Sequence, residues 1–151
     1  QLQENPLKAL IKIKRAQKKV NPILGENSVI GNIFVLFTGM FDIATQKDIN
    51  GGYRKIQDVD IFLRNLYGED DEVPYFEAVY MAFFIYFMVL QGTKRVNQED
   101  NIYYYMEKNL KLQLRVYSEN SSAVLKTLIT LAGIDARRGN IKKAKQMIKR
   151  I

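Results

Sequence analysis

The sequence predicts an all-α fold, a single-domain bundle of six or seven helices, on three observations. Apolar residues recur at three-and-four spacing along most of the chain, glycines and capping residues punctuate those runs, and no paired alternating runs suggest strands. A length of 151 residues with 47% hydrophobic and 26% charged residues suits one globular domain spanning 1–151.

Pro6 opens the first helix, residues 7–20, whose apolar stripe is Ala9, Ile13, Ala16 and Val20 and which should end before Asn21-Pro22. Its other flank carries Lys8, Lys12, Arg15 and Lys19, so one face is apolar and the other cationic. Ser28 caps a second helix, residues 29–47, apolar on nearly every side through Phe34, Leu36, Phe37, Met40 and Phe41. Asn50-Gly51-Gly52 reads as a break, after which Ile56, Val59, Leu63 and Leu66 form a third helix closed by Gly68. The acidic string Glu69 to Glu72 reads as a loop.

A fourth helix, residues 75–91, follows Pro74 and should end at Gly92, leaving Lys94 and Arg95 in the next turn. Its most apolar stretch, Ala78 to Leu90, is shorter than the roughly 20 residues needed to cross a bilayer, so it reads as a buried helix and not a transmembrane segment. With residues 29–44 it should build the core. Asn97 caps a fifth helix with Glu99 and Asp100 in its first turn, where carboxylates suit the helix dipole. Ser121 or Ser122 caps a sixth that ends at Gly139, and Asn140 caps a basic seventh, residues 140–151.

The last two helices carry a pattern. From Leu128 to Ala144, the small residues Ala132 and Ala144 flank a Gly139-Asn140 reversal, and residues 128–151 thereby resemble a single tetratricopeptide helical hairpin, with Leu128 and Asp135 where that family places aromatic residues. The resemblance implies a concave surface that docks a protein partner. No second copy lies about 34 residues upstream.

Composition narrows the chemistry. The chain has neither cysteine nor histidine, which removes disulfides, thiolate nucleophiles and the commonest metal ligand and acid–base group. Asp58 and Asp60 fall on different sides of a helix, and residues 69–72 lack calcium-loop spacing. No cofactor, metal or catalytic residue is indicated, and a non-enzymatic, cytoplasmic protein is expected.

The formal charge of +7 is concentrated at the ends. Residues 1–19 hold six Lys/Arg and one acid, and residues 137–151 hold seven and none. The remaining body holds ten against fifteen. Two partner classes follow. An interaction domain would dock a protein through the hairpin or through exposed Tyr104 and Tyr105 of the Tyr103–Tyr105 run. A sequence-nonspecific RNA or DNA binder would use Lys8, Lys12, Arg15, Lys19, Lys94, Arg95, Arg137, Arg138, Lys142, Lys143, Lys145, Lys149 and Arg150. The acidic body also offers an internal partner to the basic ends, within one chain or between copies in a homo-oligomer.

Overall fold

A computed structural model describes residues 6–68 and 73–150, so the acidic string Glu69–Glu72 lies outside the described residues. Among the described residues the fold is all-α, with seven helices and no strand. Two compact units divide the chain, residues 1–69 and 70–151.

The first unit holds α1 (Pro6–Leu24), α2 (Val29–Ala44) and α3 (Ile49–Tyr67). α1 runs four residues past the expected stop because Pro22 falls in its last turn, where the missing N–H leaves a single intrahelical bond unmade. Gly25, at φ +84°, then turns the chain and donates to the Asn21 carbonyl at 2.8 Å. Ser28 caps α2 as expected, its Oγ accepting from Gly31 N at 2.9 Å.

The expected break at Gly51-Gly52 is instead the first turn of α3, capped by Asp48, whose Oδ1 accepts from Gly51 N at 2.8 Å. Gly52 is there for packing. A Cβ on Gly52 would stand 2.6 Å from the Gly39 carbonyl oxygen and 2.7 Å from Ile43 Cγ1, and a Cβ on Gly39 would stand 2.8 Å from the Gly52 oxygen. Backbone thus meets backbone between α2 and α3, and the Lys55–Asp42 ion pair at 2.6 Å joins the same two helices. Leu36, Ile43, Ile56, Val59 and Leu63 are fully buried in this unit. Each removes side-chain area worth roughly 1.5–3 kcal/mol from water.

The second unit holds α4 (Tyr75–Lys94), α5 (Glu99–Val116), α6 (Ser122–Arg137) and α7 (Ile141–Ile148). α4 continues through Gly92, whose backbone is helical, and ends where Arg95 takes the left-handed conformation at φ 52°. At 20 residues it is long and apolar enough to cross a membrane by length and composition, more than the thirteen-residue apolar stretch suggests. One such helix is also what a core helix looks like. Here Phe76, Val79, Tyr80, Ala82 and Phe83 are buried, whereas Met88 on another side is exposed. Of the two helices expected to build the core, α2 buries Leu36 and Ile43, and α4 buries Phe76, Val79, Tyr80, Ala82 and Phe83.

Ile102, Tyr103 and Met106 of α5 meet Leu131 and Ile134 of α6, with Phe84 and Phe87 of α4 and Met147 of α7 packed against them. Ser121 caps α6, accepting from Val124 N at 3.3 Å. At its other end Gly139 (φ +79°) donates to the Ala136 carbonyl and Asn140 N to that of Asp135, at 3.1 and 2.8 Å. This pair of bonds is a Schellman closure. Asn140 therefore completes α6 and makes no side-chain cap on α7, contrary to the expectation.

Candidate functional site

The candidate site residues fall into three groups with different fates. Lys8, Lys12, Arg15 and Lys19, together with Lys14 and Lys18, are exposed on α1 in the first unit. The others belong to the second unit, where charge pairing decides what they can do.

The basic end of α6 lies beside the acidic start of α5. Arg137 Nε donates to Glu99 Oε1 at 2.8 Å, and Arg138 Nη2 donates to Asp100 Oδ1 at 2.6 Å. Both pairs also suit the helix dipoles, with carboxylates at an N-terminus and guanidinium groups at a C-terminus. Lys143 Nζ lies 3.9 Å from Asp135 Oδ2 and 3.8 Å from Glu107 Oε1. Arg137, Arg138 and Lys143 are thus engaged inside the unit, as the internal-pairing alternative expects. Lys142, Lys145, Lys149 and Arg150 are exposed on and after α7, and Lys94 and Arg95 are exposed where α4 ends.

At the centre of that pairing is a buried polar cluster that sequence reasoning missed. Tyr103 Oη donates to Asp135 Oδ2 at 2.8 Å, and Asn140 Nδ2 approaches Asp135 Oδ1 at 3.3 Å. Lys143 Nζ and the Arg138 guanidinium lie 4.8 and 5.2 Å from the Tyr103 ring centroid. Burial, the largest influence, pushes the Tyr103 phenol above its ordinary value, and the Asp135 carboxylate adds to this against the opposing Lys143 ammonium. The Lys143 ammonium is itself held above its ordinary value, chiefly by hydrogen bonding to Tyr103. A signal was available: Leu128, Leu131, Ala132 and Asp135 share one helical stripe, which puts a carboxylate on the core face.

The tyrosine run separates. Tyr103 is in the core, and Tyr105 stacks on Phe83 and Phe87 with centroids 4.7 and 5.8 Å away. Tyr104 is 51% exposed, with the Lys108 ammonium 5.4 Å from its ring centroid. Of the two candidate tyrosines, Tyr104 is therefore the exposed one.

A groove of about 310 Å³ runs between α4, α5 and α6. Its inner wall is Phe84, Ile102 and Ile134, and its rim carries Met88 and Ile129, 45% and 59% exposed. Gln91, Glu99 and Arg137 form its polar end and also line an adjoining hollow of about 490 Å³ with Arg95, Val96 and Asn97. A Cβ at Gly133 would meet Arg137 Nη1 at 3.7 Å, an ordinary van der Waals contact. The opening beside Ile102 and Ile134 depends on helix spacing, which periodicity does not supply.

The geometry stands without a family attached to it, since no protein-family model and no curated protein matches the chain.

Proposed function

We propose that the chain is a non-catalytic protein-interaction domain, an adaptor or accessory subunit, which docks a protein partner along the α4/α6 groove of its second unit. The observation that carries this reading is the apolar rim formed by Met88 and Ile129 over a concave apolar wall, with the Arg137–Glu99 pair at one end. Solitary exposed apolar residues are ordinary. Two that flank a groove near the lower size of ligand pockets, beside an arginine, match the anchor-and-rim composition of interface hot spots. The tetratricopeptide-like reading of residues 128–151 agrees, because α6 supplies one wall.

A sequence-nonspecific nucleic-acid binder is the second reading, and the six exposed cations of α1 favour it. It draws less support from the C-terminal segment, where three of the seven cations already face carboxylates.

The test is affinity measurement on a purified partner, identified by capture with the intact chain. Ile129→Asp and Met88→Asp are each expected to weaken the pair roughly tenfold or more, as loss of a hot-spot anchor does, and Tyr104→Ala to change it little. A partner bound equally well by wild type and both groove variants would overturn the groove reading.

A further inference from the structure

We propose that the outer face of α1 docks on an anionic phospholipid surface, a partner that goes beyond the protein-docking groove of the second unit.

α1 carries Lys8, Lys12, Lys14, Arg15, Lys18 and Lys19 and no acidic residue. Its inner side, on Leu10 with Ile13, Ala16 and Val20 half-buried, packs toward α2. At 100° per residue, Leu7, Ile11, Lys14 and Lys18 form one line along the exposed side, with Lys8 and Arg15 beside it. Leu7 is 57% and Ile11 42% exposed.

That mixture separates a lipid surface from other polyanions. Phosphates of a nucleic acid are satisfied by cations alone and gain nothing from aliphatic side chains in the same line. A bilayer interface takes both, aliphatic groups entering the boundary of headgroup and acyl chain and the lysines extending their ammonium groups to lipid phosphates. Near an anionic leaflet each such cation adds attraction, and the cytoplasmic leaflet supplies that charge.

A second observation lies on the same helix. A hollow of about 470 Å³ is lined by Lys14, Gln17, Lys18, Asn21, Pro22 and Glu26. Its charged lining residues are Lys14, Lys18 and Glu26, two cations and one carboxylate. A headgroup that joins a phosphodiester to a donor meets both needs. In phosphatidylserine the phosphate would face Lys14 and Lys18, and the ammonium would face the Glu26 carboxylate.

The experiment is co-sedimentation of the full chain with vesicles of phosphatidylcholine alone and of phosphatidylcholine containing phosphatidylserine, beside a titration with generic single-stranded RNA. Partition into the phosphatidylserine vesicles is expected to exceed that into phosphatidylcholine at least tenfold and to fall as salt screens the cations. Leu7→Ser with Ile11→Ser should lower that partition about tenfold, since each lost buried methylene weakens insertion. The same pair should leave any RNA affinity unchanged. Lys14→Gln with Lys18→Gln should lower vesicle binding, and Ile129→Asp should not, which keeps failure here distinct from failure of the groove. Equal binding to both vesicle types, no vesicle binding, or RNA binding without vesicle binding would each overturn the proposal. So would phosphatidylserine binding indifferent to Leu7 and Ile11.

Discussion

Tyr103 of α5 and Asp135 of α6 share a buried hydrogen bond of 2.8 Å, and this contact organises the end of the second unit. α7 buries Ala144 and leans on Met147, which is little apolar area for a helix of eight residues. It is held as much by Lys143, which reaches both the Asp135 carboxylate and the Tyr103 ring, and by Asn140, which joins the α6 closure to the same carboxylate.

Tyr103→Phe keeps the ring and removes the donor. The buried carboxylate then loses its shortest side-chain partner, at an expected cost of about 1–3 kcal/mol, read as a lower denaturation midpoint. The variant also changes the response to alkali. Tyr103 and Lys143 both hold their protons more tightly when folded, so their contribution is complete below about pH 10 and is lost as pH rises through the folded-state values. Wild-type stability should therefore fall as pH rises above about 10, and Tyr103→Phe should fall less steeply over the same range. Some slope should remain, because the Glu77 carboxylate raises Tyr117 in the same direction. Equal slopes in wild type and variant would remove Tyr103 from this account.

Two glycine substitutions should have opposite signs. Gly52→Ala places a methyl group 2.6 Å from the Gly39 oxygen, a backbone atom that yields only if α2 and α3 separate, and should destabilise by about 1–3 kcal/mol. Gly92→Ala meets nothing within 4 Å in an exposed helical turn of α4 and should stabilise by about 0.5–1 kcal/mol. Thermal denaturation of the two variants checks both signs.

Asn109 is fully buried on α5, and neither its Oδ1 nor its Nδ2 has a hydrogen-bond partner among the described residues. Replacing an unsatisfied amide with an apolar group of similar shape removes its desolvation penalty, so Asn109→Leu should raise stability by about 1–2 kcal/mol. A lower denaturation midpoint for Asn109→Leu would show that the amide is satisfied in solution.

Much of the helical layout was legible because it depends on neighbours in sequence. Ser28 and Ser121 cap the helices they precede, and Gly68 and Gly139 end helices at positive φ. The errors came where a local breaker serves another purpose. Gly51 and Gly52 look like a loop because glycine weakens isolated helices, yet here the missing Cβ of Gly52 lets α3 approach α2. Gly92 and Pro22 lie in terminal turns, where few intrahelical bonds depend on them. Asn140 looks like an N-cap by position, but its amide groups are spent on Asp135. In the candidate sites, the cations of α1 were evident from their periodicity. Arg137, Arg138 and Lys143 needed partners 38, 38 and 36 positions upstream, Glu99, Asp100 and Glu107, to show that their charge is answered.

The sequence by itself determined the helical class, most helix limits to within a few residues, and the cationic face of α1. All of these follow from the 3.6-residue repeat and from caps acting within one turn. The tertiary structure alone decided that the chain forms two units, that Asp135 is buried and answered, that Tyr104 is the exposed tyrosine of its run, and that a groove opens between α4 and α6. Those depend on which helix surfaces meet and how closely, a choice made by residues distant in sequence that periodicity cannot pair.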